Sequence, residues 1–134
     1  MIVANLKSYD QLIEYIDKYK KIIINISAPW CKPCLAIKPQ IEKFVSVIDI
    51  PEIIYLKIDY ESYQEDNNLE SIFNVKKIPY FAFLENNMVK DSFVSGDFSF
   101  VSKKIFNYVH NPENKINNAN ESNNIENFKI NDDF

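Results

Sequence analysis

The chain has 134 residues, which suits one domain of ordinary size, and its apolar fraction of 46% is enough for one hydrophobic core. The formal net charge of -4 argues against a nucleic-acid-binding protein, since such proteins usually present a basic patch and a high pI. The longest apolar run near the N-terminus, residues 22–26, is far below the roughly 20 residues of a membrane-spanning helix, and it lacks the features of a secretory signal. We therefore expect a cytoplasmic protein that binds neither nucleic acid nor membrane.

Helices and strands alternate along the first 110 residues. Apolar residues at helical spacing indicate the helices, and short β-branched or aromatic runs indicate the strands. In chain order, the predicted elements are a helix at 8–19, a strand at 22–27, a kinked helix at 34–48, a strand at 53–58, a polar loop at 60–68, a helical turn at 69–73, a hairpin of strands at 80–84 and 88–94, and a helix at 96–109. This order predicts an α/β fold with a central mixed β-sheet flanked by helices on both faces.

The composition changes after His110. Nine of the last 24 residues are Asn, and five acidic residues stand there against two Lys, so this segment carries about -3 of the net charge of -4. A segment of this kind cannot bury enough apolar surface to offset its ordering entropy. We therefore expect one domain over residues 1–110 and an Asn-rich, disordered tail over residues 111–134.

Both cysteines of the chain, Cys31 and Cys34, lie in the stretch "SAPWCKPCLAIKP" between a predicted strand and a predicted helix. A structural zinc site commonly needs four Cys or His ligands, and this chain has one further candidate, His110, so no metal site is predicted. A purely structural disulfide is also a poor explanation, because closing a two-residue loop constrains the chain little.

A redox-active pair agrees better with the local sequence. Cys31 would lie at a helix N-terminus, where free N–H groups and the helix dipole stabilise the nucleophilic thiolate. Lys32 adds positive charge beside it, and Pro33 suits the first helical turn because its missing N–H would be unpaired there. Cys34 would then share the same helix face and could attack a mixed disulfide. This arrangement predicts an exposed, attacking Cys31 and a shielded, resolving Cys34.

The sequence resembles the thioredoxin family over roughly residues 1–109. The likeness rests on "WCKPC" at 30–34, Pro39 five residues after Cys34, Ile58-Asp59 at the end of the central strand, "VKKIPYF" at 75–81 and Gly96 before the last helix. The resemblance implies a thioredoxin fold, a redox-active Cys31–Cys34 disulfide and no bound cofactor. It also implies that Trp30, Ile78 and Pro79 bind substrate, with Pro79 in the cis form and facing the cysteines.

The sequence departs from the family pattern behind the cysteines. Asn25 stands where thioredoxins usually carry a buried Asp that helps to move protons for the resolving cysteine, and Tyr55 stands where they often carry a Lys. Because Asn cannot titrate, that proton route is absent. We expect Asn25, together with Lys32 and Pro33, to tune the reactivity of the pair.

The leading hypothesis is a monomeric thiol–disulfide oxidoreductase that maintains redox balance. Cys31 would attack disulfides of substrate proteins, Cys34 would resolve the mixed disulfide, and a disulfide reductase would supply electrons. Two alternatives remain open from the sequence: a thioredoxin-fold protein-binding module with slow or idle chemistry, and an oxidase or isomerase of the protein disulfide isomerase type.

Overall fold

A five-stranded sheet forms the centre of the molecule in the computed structural model, which describes residues 1–110. The strands are β1 (Ile2–Leu6), β2 (Lys21–Ser27), β3 (Ile53–Asp59), β4 (Tyr80–Glu85) and β5 (Met88–Val94). Their order in the sheet is β1-β3-β2-β4-β5. Strand β3 pairs in parallel with β1 and with β2, and β4 pairs in antiparallel with β2 and with β5. The predicted mixed sheet is confirmed, and the predicted tail at 111–134 lies outside the described residues.

Within residues 1–110, five helices pack on the sheet, and they lie on both of its faces, as predicted. They are α1 (Tyr9–Lys18), α2 (Lys32–Ser46), α3 (Tyr60–Gln64), α4 (Asn67–Phe73) and α5 (Phe98–His110). Because successive side chains of a strand point to opposite faces, β2 contributes Ile22, Ile24 and Ile26 to one core and Ile23 to the other. The first core includes buried residues of α1, α3 and α4, and the second includes buried residues of α2 and α5.

Two predictions on the elements were incomplete or wrong. Strand β1 was not predicted, since only Leu6 of its five residues is buried and its burial pattern hardly alternates. The loop predicted at 60–68 is instead occupied by α3 and the start of α4. Each of these two helices begins after an aspartate that acts as its N-cap. The Asp59 side chain accepts a hydrogen bond from the Glu61 N–H at the start of α3. The Asp66 side chain accepts hydrogen bonds from the Asn68 and Leu69 N–H groups at the start of α4. The capping residues overcame the polar composition that had suggested a loop.

Asp66 also joins two helices that are distant in sequence. One carboxylate oxygen, Oδ1, accepts from the Asn68 and Leu69 N–H groups at 3.1 and 3.2 Å, and Oδ2 accepts from the Tyr9 N–H at 2.8 Å. The side chain therefore caps α4 and fixes the first residue of α1 at the same time.

We predict that Asp66→Ala lowers the free energy of unfolding by about 2–3 kcal/mol, because a helix cap and a long-range, charge-assisted hydrogen bond are lost together. Urea denaturation measures this value. Glu14→Ala is the control, because Glu14 lies exposed on α1, and it should change stability by less than about 0.5 kcal/mol. Equal stabilities of the two variants would contradict the assigned role of Asp66.

Candidate active site

The site is built around the start of α2, directly after β2. Cys31 is the N-cap residue of this helix, and its Sγ accepts a hydrogen bond from the Cys34 N–H at 3.3 Å. Pro33 lies in the first turn, and that turn carries no acidic residue. Cys31 thus lies at the positive end of the helix dipole, where a thiolate is stabilised, as the sequence predicted.

Cys31 and Cys34 form a disulfide, with their Cα atoms 5.3 Å apart. Cys34 is 3% exposed, in agreement with its predicted shielding, but Cys31 is only 6% exposed. The prediction of an exposed Cys31 is therefore wrong for this oxidised form. Cys31 packs with Cys34 and Ala28, and Tyr60 and Ile78 close over this small cluster.

The Ile78–Pro79 segment lies against the cysteines from the other side of the site. The peptide bond between these residues is cis, as the resemblance implied. The Cys31 Sγ lies 3.9 Å from the Ile78 carbonyl oxygen, and Ile78 is half-buried. This arrangement places the backbone of Ile78 beside the sulfur that would attack a substrate, which is compatible with its predicted role in substrate binding.

Trp30 is the most exposed large aromatic residue around the disulfide, with 64% of its surface accessible. Its ring makes an edge-to-face contact with Tyr60 at 6.1 Å between centroids, and Tyr60 stacks on Tyr63 at 5.8 Å. The Tyr63 hydroxyl accepts a hydrogen bond from the Val75 N–H at 2.6 Å, three residues before Ile78. The two tyrosines therefore connect Trp30 to the cis-proline segment, and sequence reasoning missed them because it assigned them to a loop.

Gly96, just before α5, completes the rim of the site. A Cβ atom at this position would lie 3.1 Å from the Cβ of Pro33, so a side chain there would push against the first turn of α2. The neighbouring Ser95 N–H donates to the Pro79 carbonyl oxygen at 3.2 Å. The segment before α5 thus contacts both the cysteine stretch and the cis-proline.

Asn25 is half-buried on β2 and donates a hydrogen bond from Nδ2 to the Tyr80 carbonyl oxygen at 3.3 Å. It lines a cavity that also contains Cys34, so its predicted place behind the cysteines is correct. Tyr55 stands at the position where the family often carries a Lys, and the β3 residue that pairs directly with Asn25 in the β2–β3 register is Lys57. Tyr55 is fully buried, and burial together with the nearby Glu42 carboxylate raises the pKa of its phenol, so it does not replace a Lys.

The remaining predicted site residue, Lys32, lies exposed between the cysteines in sequence. Within residues 1–110, no cluster of three or more His, Cys, Asp or Glu side chains is arranged to hold a metal ion. In the same part of the chain, no helix has the length and apolar character needed to cross a membrane. The roles predicted for Lys32, Pro33 and Asn25 as tuning residues stay predictions.

Comparisons with known proteins agree with this geometry. A family model described as Thioredoxin matches residues 1–110. Thioredoxin H5 of Oryza sativa subsp. japonica is 26% identical over 113 residues, which cover 84% of this chain and 79% of that protein. Thioredoxin-like protein 1 of Schizosaccharomyces pombe is 28% identical over 105 residues, and the match covers 78% of this chain but 35% of that protein. The crystal structure of Malassezia sympodialis thioredoxin has a TM-score of 0.67 at 26% identity, covering 79% of this chain and 92% of that one.

Tyr80 directly follows Pro79, and burial raises the pKa of its phenol to about 12, although a hydrogen bond with the Ser92 side chain opposes the shift. An unfolded Tyr ionises near pH 10, so between pH 10 and 12 the unfolded state loses a proton that folded Tyr80 keeps. The contribution of Tyr80 to stability is therefore present below pH 10 and is lost as the pH rises to 12, by about 1.4 kcal/mol per pH unit.

We predict that Tyr80→Phe makes the alkaline loss of stability shallower than in the wild type. Urea denaturation at several pH values, with near-neutral pH as the reference, measures the two slopes. Tyr55 and Tyr63 also have raised pKa values, so part of the slope should remain in the variant. Identical slopes in both proteins would show that Tyr80 ionises as easily in the folded state as in the unfolded state.

Proposed function

Because the chain belongs to the thioredoxin family, we propose that it is a thiol–disulfide oxidoreductase that reduces disulfides of substrate proteins. The observation that carries this proposal is the Cys31–Cys34 disulfide at the N-terminus of α2, beside the Ile78 backbone. A pair at this location can exist as a stabilised thiolate and a neighbouring thiol when reduced, and as a short-loop disulfide when oxidised.

The reaction transfers two electrons from the reduced pair to the substrate. The Cys31 thiolate attacks one sulfur of the substrate disulfide, that S–S bond breaks, and the leaving thiolate takes a proton from solvent. The Cys34 thiolate then attacks the Cys31 Sγ, and the second substrate sulfur leaves and is protonated. The substrate is reduced to two thiols, and Cys31 and Cys34 end as the disulfide seen in the structure.

The local geometry supports Cys31 as the attacker and Cys34 as the resolver. The Cys31 Sγ already accepts the Cys34 N–H at 3.3 Å, and this contact would stabilise a negative charge on the sulfur. Cys34 lies within the first turn of α2, is the less exposed of the two, and faces the cavity beside Asn25. A substrate sulfur would therefore meet Cys31 first.

Trp30 and Ile78 form the accessible part of the surface on which we propose that a substrate segment binds, and Pro79 lies buried next to Ile78. The exposed Trp30 ring supplies apolar area, and the Ile78 carbonyl can accept a hydrogen bond from an extended peptide. A pair that starts as thiols requires a reducing compartment such as the cytoplasm and a disulfide reductase as electron donor.

The first test is reduction of insulin by dithiothreitol, followed by the turbidity of the precipitating chains. We expect the wild type to accelerate precipitation and expect Cys31→Ser to abolish the acceleration, because the attacking sulfur is lost. Ser46→Ala is the control, because Ser46 lies at the exposed end of α2, and it should retain full activity. A wild type no faster than dithiothreitol alone would favour the protein-binding module over the oxidoreductase.

The second test separates the roles of the two sulfurs. We predict that Cys34→Ser accumulates covalent complexes with substrate proteins that dithiothreitol releases, because the mixed disulfide on Cys31 can no longer be resolved from within. Capture from an extract without reductant, followed by nonreducing electrophoresis, measures these complexes. If Cys31→Ser captured the same set and Cys34→Ser captured none, the assignment of attacker and resolver would be reversed.

A further inference from the structure

The disulfide is covered, although the aromatic residue beside it is open to solvent. Cys31 is 6% exposed and Cys34 is 3% exposed, whereas the adjacent Trp30 is 64% exposed. In thiol–disulfide exchange the attacking sulfur must reach one sulfur of the disulfide directly, so the rate depends on access as well as on chemistry. The residues that cover Cys31 therefore decide which partners can react with it.

Tyr60 is the largest side chain that packs against the cysteine pair. The buried cluster at the site consists of Ala28, Cys31 and Cys34, and the half-buried Tyr60 and Ile78 pack against it. Ile78 also contributes its backbone, because its carbonyl oxygen lies 3.9 Å from the Cys31 Sγ. A partner sulfur therefore has to approach Cys31 past the Tyr60 ring and the Ile78 segment.

The Tyr60 ring is fixed by its neighbours. Tyr60 is the first residue of α3, directly after the N-cap Asp59. Its ring stacks on Tyr63 at 5.8 Å, and Tyr63 is itself 1% exposed and accepts the Val75 N–H at 2.6 Å. On the outer side, the Trp30 ring meets it edge to face at 6.1 Å. Because aromatic pairs of this kind are favourable, moving Tyr60 aside would cost both contacts.

A mixed disulfide brings the partner chain close to this ring. The Cα atoms of two disulfide-bonded cysteines are usually about 4.4–6.8 Å apart, so the residues that flank the partner cysteine must lie within the site as well. Large flanking side chains would meet the fixed Tyr60 ring, whereas small ones would not. The same mixed disulfide on Cys31 forms in both directions of the reaction, so the restriction applies to substrates and to reductants alike.

We propose that Tyr60 is a specificity-determining residue that restricts Cys31 to partner sulfurs flanked by small side chains. This inference rests on the proposed oxidoreductase function and deepens it, since it names the class of partner segment that the site accepts. Tyr60 acts through the space that its ring occupies and exchanges no proton or electron.

The experiment reduces the oxidised protein with two capped, uncharged tripeptides, Gly-Cys-Gly and Val-Cys-Val. The peptide thiolate attacks the Cys31 Sγ, the bond to Cys34 breaks, and the Cys34 thiolate takes a proton from solvent. A second peptide thiolate attacks the bound peptide sulfur, which leaves a peptide disulfide and the Cys31 thiolate. Excess peptide, acid quenching and mass spectrometry give the rate of loss of the protein disulfide.

The readout is the ratio of the two rates in each variant relative to the wild type. This comparison removes the intrinsic difference between the peptides. A variant that only makes the disulfide more or less stable changes both rates alike, whereas a variant that changes access changes the rate of the bulkier peptide more. The ratio therefore separates selection by Tyr60 from a merely structural role.

We expect Tyr60→Ala to speed reduction by Val-Cys-Val about five- to tenfold and reduction by Gly-Cys-Gly less than about twofold, because space opens beside Cys31. Tyr60→Leu, which keeps apolar packing against the core, should give a smaller gain for Val-Cys-Val, about two- to threefold. Tyr60→Phe should behave like the wild type, since its ring fills the same space.

Tyr15→Ala is the matched control. Tyr15 is also half-buried, packs against the same core as Tyr60 and contacts another ring, that of Tyr19 at 6.0 Å, but it does not pack against the cysteine cluster. Its substitution removes a similar side chain and should leave the ratio unchanged. Thermal melts of each variant show that the rates are measured on folded protein.

Several results would overturn the inference. Equal changes for both peptides in Tyr60→Ala and Tyr60→Leu would mean that the ring affects the disulfide and selects nothing. Slower reaction of Val-Cys-Val in these variants would mean that Tyr60 binds large flanking residues instead of excluding them. A Tyr60→Phe variant that behaved like Tyr60→Ala would assign the effect to the hydroxyl. Failure of dithiothreitol to reduce the wild-type disulfide would instead refute the proposed function, which this inference requires.

Discussion

The hydrogen bond from the Cys34 N–H to the Cys31 Sγ is the contact on which the chemistry of the site depends. It exists because α2 begins immediately after Cys31, so that the sulfur takes the place of a capping oxygen. Ile37, Ile41 and Val45 bury one face of the helix against the sheet and fix its start relative to β2. The same packing of apolar residues that stabilises the domain therefore also sets the electrostatic environment of the sulfur.

Contacts among segments distant in sequence hold the other parts of the site around this helix start. The Tyr63 hydroxyl binds the chain just before the cis-proline, and the Ser95 N–H binds the Pro79 carbonyl. These are backbone-directed hydrogen bonds, so they fix the course of the chain whatever the neighbouring side chains are. The surface proposed to bind substrate combines Trp30 from the loop after β2 with Ile78 from the segment before β4, and Tyr60 of α3 contacts the Trp30 ring.

Most of the sheet and the cysteine site could be predicted from the sequence, because period-two and helical patterns, turn residues and the Trp-Cys-x-Pro-Cys motif are local signals. Strand β1 was not predicted, because an edge strand with one fully buried residue shows little alternation of apolar and polar residues. The low exposure of Cys31 was not predicted, because Tyr60 and Ile78, which pack against its cluster, are distant from it in sequence. The position of Lys57 beside Asn25 was not predicted, because it depends on the register of β2 and β3, which a position-by-position comparison with a family does not show.

Gly96 illustrates that accessibility and tolerance to change are separate properties of a position. The residue is exposed, and at most exposed positions a substitution is nearly neutral. Here a methyl group would lie 3.1 Å from the Pro33 Cβ. Substitution of this exposed residue is therefore limited by steric contact, as substitution in a packed core is. Gly96 is also the single glycine of the chain. Surface redesign of this protein, or attachment of a label near the last helix, would therefore have to spare this residue to keep the first turn of α2 in place.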